Sequence, residues 1–247
     1  MVGTNLPVQT ADLDFPHDGD YLRGYGAWPR GGAPHPALVL LPDVRGLSEH
    51  YRDVARRFAA EGFFTLALDL YSREGAPDLP DLDAIFRWMR SLPDRRVLGD
   101  VAAAVTMLAA RADIRPAAIG ITGFCMGGQY ALMAACAVPG FAACVSWYGM
   151  LRYAEASDHK PSSPLDLAPR LACPYLGLFG AEDQLIPPAD VEELRALLTR
   201  AHKTFEIEVY PEAGHAFFND SRPEVYRPAA AADAWPRAVG FLRRHLG

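Results

Sequence analysis

The sequence predicts an α/β fold in which helices cover both faces of a mostly parallel sheet. Apolar runs of strand length alternate with segments of helical periodicity along most of the chain. Of the 247 residues, 50% are hydrophobic and 22% are charged, which is enough apolar surface for one large core. No internal repeat or low-complexity linker divides the chain, so we expect a single domain over residues 1–247.

The predicted elements follow in a regular order. Residues 8–15 and 21–27 indicate an antiparallel pair of edge strands within an N-terminal segment 1–30. Apolar runs predict buried strands at 37–41, 63–68, 117–121, 142–147, 174–179 and 205–210. Helical patterns predict helices at about 48–60, 83–89, 97–111, 129–138, from 188 onward and 228–245. Ser48 is expected to cap the first helix, and a proline such as Pro188 is acceptable in a first turn.

The composition excludes several classes of function. The net charge is -6, whereas nucleic acid and anionic membranes both attract basic patches, so neither is expected as a partner. The longest apolar runs are too short to span a bilayer, and the N-terminal segment has no signal-peptide core. The four cysteines have neither zinc-binding nor disulfide-framework spacing, which is typical of reduced thiols in a cytoplasmic protein. We expect no metal and no organic cofactor.

Cys125 is the candidate nucleophile. It lies in the segment G-F-C-M-G-G, residues 123–128, between a predicted strand and a predicted helix. The spacing matches G-x-S-x-G, a sharp turn whose glycines avoid collisions with the neighbouring strand and helix. The partial positive charge at a helix N-terminus favours a thiolate there. The same glycines do not fit a dinucleotide fingerprint, because its middle glycine is replaced by Cys125.

Two further residues follow predicted strands and complete a triad. Asp183 lies in the loop after one strand and His215 in the loop after the next, so both should meet Cys125 at one edge of the sheet. The chain order of nucleophile, acid and base is that of α/β-hydrolases. His215 would act as general base and Asp183 would orient it, with Glu182 as the rival acid. The oxyanion would be held by the backbone N–H groups of Met126 and Val44.

These residues resemble the dienelactone hydrolases, or carboxymethylenebutenolidases, over about residues 37–246. The G-F-C-M-G-G segment is the most specific part of the resemblance. Further matching segments are L-P-D-V-R-G at 41–46, D-L-Y at 69–71, W-Y-G at 147–149, G-A-E-D at 180–183 and E-A-G-H-A-F at 212–217. The resemblance implies an α/β-hydrolase fold and a Cys-His-Asp triad, which here are Cys125, His215 and Asp183.

The chain departs from that family at two positions around the thiol. Asp43 stands where family members that open dienelactone carry a glutamate, and it either contacts the thiol or serves as a turn residue. Asn219 stands at about the position of an arginine that holds the substrate carboxylate, and an amide cannot replace that cation. Arg45 is a nearby cation. Five aromatic residues either line an apolar pocket or pack at its rim: Trp88, Phe124, Trp147, Tyr148 and Phe217.

The expected function is hydrolysis of a small-molecule carboxylic ester or lactone through a thioester on Cys125. A thiolate attacks a carbonyl readily, and esters and lactones expel a better leaving group than amides do. Attack of the same triad on aryl esters or phosphotriesters is an open alternative. A non-catalytic ligand-binding protein of the same fold is a second one. The chain is expected to be a monomer or a homodimer.

Overall fold

The computed structural model describes residues 6–247 and contains one eight-stranded sheet with helices packed on it. The strands are β1 Val8–His17, β2 Asp20–Pro29, β3 His35–Leu41, β4 Phe64–Leu68, β5 Ile114–Phe124, β6 Ala143–Trp147, β7 Tyr175–Gly180 and β8 Phe205–Tyr210. The helices are α1 Glu49–Ala60, α2 Leu82–Ser91, α3 Asp94–Ala109, α4 Met126–Ala137, α5 Pro164–Leu167, α6 Pro188–Arg200 and α7 Pro228–Leu246. The predicted α/β architecture is confirmed; residues 1–5 of the predicted domain lie outside the described residues.

The sheet is mostly parallel and is buried on both faces at its centre. The strand order is β1-β2-β4-β3-β5-β6-β7-β8, and only the pairs β1–β2 and β2–β4 are antiparallel. Every residue of β4, β6 and β7 is buried. Continuous burial of this kind requires cover on both faces of the sheet, which explains why these strands are apolar runs rather than alternating patterns.

A crevice forms where the direction of winding changes. β3 lies between β4 and β5, so the chain leaves β3 toward one side of the sheet and returns through β5 on the other. The carboxyl ends of these strands are aligned, with Leu41 opposite Gly123. Loops that follow such neighbouring strands diverge and leave room for a ligand. The segment after β3 and the turn after β5 therefore face one crevice.

Some predicted bounds and one predicted cap differ from the structure. β5 continues from the apolar run to Phe124, because its last residues pair with β3 and β6. The edge hairpin is longer than predicted and turns at Asp18 and Gly19, both with positive φ. Ser48 stands at the N-cap position of α1, but its side chain makes no capping hydrogen bond. The short helix α5 was not predicted.

Glycines at the turn between β5 and α4 allow the backbone to touch its neighbours. A Cβ on Gly123 would lie 2.0 Å from the Gly127 carbonyl oxygen. A Cβ on Gly127 would lie 2.2 Å from the Leu41 oxygen, and one on Gly128 would lie 2.6 Å from the Trp147 oxygen. Real Cβ atoms do not approach backbone oxygens this closely, so the predicted steric role of these glycines is confirmed.

Replacing Gly127 by alanine should destabilise the fold, because the added methyl meets backbone that cannot turn away. We expect Gly127→Ala to lower the free energy of unfolding by about 3 kcal/mol in urea denaturation. Gly240→Ala in α7 is the matched control, since its Cβ would meet nothing closer than an arginine nitrogen at 3.9 Å. Alanine there should be neutral or stabilising by up to about 1 kcal/mol. Equal effects of both changes would contradict this account of the turn.

Candidate active site

Cys125 occupies the strained position of the turn. Its φ is 56°, in the left-handed region that non-glycine residues rarely adopt. Two backbone hydrogen bonds hold it there: its N–H donates to the Trp147 oxygen at 3.0 Å, and its carbonyl accepts from the Gln129 N–H at 3.0 Å. Its side chain is half-buried at the start of α4. Tyr148 and Ala216 also have positive φ, and strain of this kind persists at functional sites where the surrounding structure holds it.

The loops that carry Asp183 and His215 are joined by backbone contacts. A Cβ on Gly180, the last residue of β7, would lie 2.2 Å from the Ala213 oxygen. The Glu182 N–H donates to that same oxygen at 2.9 Å. The loop after β7 and the loop after β8 are therefore held as one unit, which fixes the spacing of the two side chains.

Asp183 and His215 are directly hydrogen bonded. His215 Nδ1 lies 2.8 Å from Asp183 Oδ2. The other carboxylate oxygen accepts the Leu185 N–H at 2.8 Å, and the Asp183 side chain is closed to solvent. The neighbouring carboxylate, Glu182, is exposed. Geometry thus favours Asp183 over Glu182 as the partner of the imidazole.

The electrostatics of His215 link it to Cys125. Burial lowers the pKa of the imidazole, but the charge of the Cys125 thiolate and the hydrogen bond to Asp183 outweigh burial and raise the pKa to about 10. The Nε2 atom is buried and makes no ordinary hydrogen bond within residues 6–247. No other partner therefore competes there for a proton on Nε2.

Val44 and Met126, the residues expected to donate to an oxyanion, lie on the two sides of the crevice. Val44 follows β3 and Met126 begins α4, and neither backbone N–H has a hydrogen-bond partner in the described part of the chain. The Val44 carbonyl accepts a hydrogen bond from the Tyr71 hydroxyl at 2.8 Å. That hydroxyl in turn accepts from Trp88 Nε1 at 3.2 Å. This chain of contacts fixes the loop after β3.

Asp43 is a turn residue, and its charge acts on the same two phenols as the charge of Cys125. Its Oδ1 accepts the Arg45 N–H at 2.8 Å. Burial raises the pKa of the Tyr51 and Tyr148 phenols, and the charges of Asp43 and Cys125 add to that effect on both. The two roles left open for Asp43 are therefore compatible. The Arg45 side chain is exposed.

The aromatic residues expected near a pocket are mostly beneath the site. Phe124, Trp147 and Phe217 are closed to solvent, so in this structure they do not line an open pocket. Phe124 stacks on Trp147 with ring centroids 5.1 Å apart. Tyr148 is also buried, with its ring 5.3 Å from His215 and its hydroxyl unpaired among residues 6–247. Trp88 is half-buried. The four buried rings therefore form part of the hydrophobic core beneath the site.

Asn219 is a buried turn residue rather than an open pocket group. Its Oδ1 accepts hydrogen bonds from the Ser221 N–H at 3.1 Å and from the Ser221 hydroxyl at 2.6 Å. The amide therefore organises the segment after His215.

The sequence analysis did not find two buried polar groups near the site. His50 in α1 pairs with Asp220 through Nδ1 at 3.2 Å, and burial lowers the pKa of its imidazole. Gln129 in α4 belongs to a buried hydrogen-bonded cluster with Tyr153. The signal for Gln129 was available, because it is the only amide in an otherwise apolar helix.

Two other features are absent from the part of the chain that the structure describes. Within residues 6–247 no group of three or more His, Cys, Asp and Glu side chains could hold a metal ion. In the same part of the chain no helix combines the length and the apolar character needed to cross a bilayer.

The chain is similar to known proteins over nearly its full length. Residues 22–246 match the model of the dienelactone hydrolase family. A provisionally named carboxymethylenebutenolidase from Methylorubrum extorquens is 37% identical over 95% of this chain and 80% of that protein. A provisionally named 2-oxo-3-(5-oxofuran-2-ylidene)propanoate lactonase from Bradyrhizobium is 37% identical over 95% of this chain and 94% of that protein.

A solved structure agrees with these relatives. The crystal structure of a provisionally named dienelactone hydrolase from Klebsiella pneumoniae superposes with a TM-score of 0.91, at 36% identity, over 96% of this chain and 99% of that chain. With the family model and the relatives, this similarity shows that the chain belongs to the dienelactone hydrolase family and is a hydrolase with the α/β-hydrolase fold.

Proposed function

We propose that this protein hydrolyses carboxylic esters or lactones through a thioester formed on Cys125. The observation that carries the proposal is the pairing of a half-buried thiol at a strained turn with an imidazole that is hydrogen bonded to Asp183 at 2.8 Å. The family of the chain supports ester or lactone chemistry, and the Bradyrhizobium relative is named as a lactonase.

In the first half of the reaction the Cys125 thiolate attacks the carbonyl carbon. The carbonyl π electrons move to oxygen, and the N–H groups of Val44 and Met126 stabilise the resulting oxyanion. When the tetrahedral intermediate collapses, the C–O bond to the leaving group breaks and His215 Nε2 donates its proton to that oxygen. An alcohol, or the opened hydroxyl end of a lactone, is released and the acyl group remains on sulfur.

In the second half His215 acts as a base toward water. Nε2 takes one proton from the water as its oxygen attacks the thioester carbonyl. The same N–H groups hold the second oxyanion, and collapse expels the Cys125 thiolate. The product is a carboxylic acid. Asp183 keeps Nδ1 protonated throughout, so that Nε2 is the nitrogen that exchanges protons.

The nucleophile assignment predicts loss of turnover when the thiol is removed. Cys125→Ala should lower kcat for aryl esters by at least about 10³-fold, because the covalent route is lost. Cys136→Ala is the control: burial raises the pKa of that thiol to about 12, so it is inert at neutral pH. Mass spectrometry should find the acyl group on Cys125 in the wild type. Retained turnover in Cys125→Ala would contradict the assignment.

The acid assignment predicts a shift in the titration of His215. Asp183→Asn removes the charge that stabilises the imidazolium, so the pKa of His215 should fall below its value of about 10. Nuclear magnetic resonance of ring-labelled histidine measures this, with His215→Asn identifying the signal. His50, whose pKa is lowered by burial, is an internal control, and its pKa should be the same in Asp183→Asn as in the wild type. We also expect kcat to fall by about 10³-fold.

The residue at position 219 predicts a preference for uncharged substrates. Because Asn219 is engaged in a turn and offers no positive charge, kcat/KM should be higher for neutral esters and lactones than for matched carboxylate-bearing ones. A panel of matched pairs measures the ratio. Asn219→Arg should move that ratio toward the carboxylate substrates if the variant folds. A wild-type preference for carboxylates would contradict the prediction.

A further inference from the structure

A cavity of about 710 Å³ lies against α4, the helix that begins directly after Cys125. Its walls come from α2, from the segment that follows β6, and from α4, through residues that include Phe86, Met89, Met150, Tyr153 and Gln129. Gln129 is four residues after Cys125, which puts it about 6 Å further along the helix axis. Trp88 ties α2 to the loop after β3 by way of Tyr71. Two walls of the cavity are therefore anchored to the catalytic elements.

A buried cluster behind one wall fixes which way the Gln129 amide points. The Tyr153 hydroxyl lies 3.1 Å from both carboxylate oxygens of Asp94. A carboxylate only accepts hydrogen bonds, so the single Tyr153 proton goes to Asp94. The hydroxyl oxygen must then accept from its other neighbour, the amide of Gln129 at 2.8 Å. The atom facing Tyr153 is accordingly Nε2.

This orientation leaves the amide oxygen of Gln129 without a partner. The residue is 1% exposed, and its Oε1 makes no hydrogen bond in the described part of the chain. A buried acceptor left unpaired costs free energy, so most such groups in folded proteins are satisfied. Gln129 lines the cavity, and a bound group can supply the missing donor.

The charges of the cluster are already balanced. Lys160 Nζ lies 2.6 Å from Asp94 Oδ1 and 2.6 Å from the Tyr130 hydroxyl, and both charged side chains are buried. Since this ion pair is internal, the unmet demand of Gln129 itself is for a hydrogen-bond donor, and Arg87, Arg90 and Glu155 are the other charged residues along the cavity wall. The apolar side chains of Phe86, Met89 and Met150 suit an aromatic or aliphatic body for that donor.

We propose that this cavity binds the part of the substrate away from the reacting carbonyl, and that Gln129 selects groups carrying a hydroxyl or N–H donor. A phenol or alcohol reaching Gln129 Oε1 would satisfy the acceptor, whereas a hydrocarbon of the same shape would leave it unpaired. Such sites discriminate strongly against the analogue that lacks the donor. The inference rests on the proposed ester or lactone hydrolysis and names the substrate class within it.

The test compares matched esters that differ by one hydroxyl. The first pair varies the acyl group and consists of para-nitrophenyl para-hydroxyphenylacetate and para-nitrophenyl phenylacetate. The second pair varies the leaving group and consists of the acetate esters of para-hydroxyphenethyl alcohol and phenethyl alcohol. In the wild type, kcat/KM should favour the hydroxylated member of at least one pair about tenfold or more. In Gln129→Met the ratio for that pair should fall to about one.

Two further variants keep the test decisive. Gln9→Met makes the same change at an exposed position on β1 and should leave the wild-type ratio intact. Ala154→Trp fills the cavity from its exposed wall and should also abolish the preference, so it decides the matter if Gln129→Met does not fold. No preference in the wild type, or a preference that survives in the folded cavity variants, overturns the inference.

A binding measurement separates this inference from the proposed function. Para-hydroxyphenylacetamide and phenylacetamide carry the same two side groups without a reactive ester, and calorimetry gives their Kd values. Tighter binding of the hydroxylated amide to the wild type, lost in Gln129→Met, supports the inference even if no ester is hydrolysed. Hydrolysis of esters with equal Kd values for both amides supports the proposed function and overturns the inference.

Discussion

Where β5 passes into α4, the backbone touches the end of β3 and the end of β6 with no room for a side chain at Gly123, Gly127 or Gly128. The turn is held in place by these contacts, and Cys125 at its apex accepts a left-handed φ as a result. The exposure of the thiol therefore depends on this contact between backbones.

A second contact between backbones determines the electrostatic environment of His215. The loops after β7 and β8 meet at Gly180 and Ala213, and the Asp183–His215 hydrogen bond follows from their fixed spacing. Because the carboxylate is closed to solvent, its charge acts on the imidazole with little screening. The pKa of His215 rises to about 10 despite burial, first through the charge of the Cys125 thiolate and then through the hydrogen bond and charge of Asp183.

Helix α4 serves both the proposed chemistry and the proposed selection of substrate. Its first turn follows the nucleophile, and its next turn presents Gln129 to the cavity. The amide is oriented from behind by Tyr153, which is itself held by Asp94 and, through it, by Lys160. This buried ion pair explains why the segment after β6 stays against the helix. A polar cluster of this kind specifies one arrangement because every alternative leaves a charge unpaired.

Strand periodicity and glycine spacing are local properties of the chain, so the fold class, the turn at Cys125 and the order of Cys125, Asp183 and His215 could all be predicted without coordinates. Burial depends on elements far apart in sequence, so the packing of the aromatic side chains into the core rather than around a pocket became visible only in the folded molecule. The same holds for Gln129. Its unpaired oxygen is visible only once Tyr153 and Asp94, from other elements, are in contact with it.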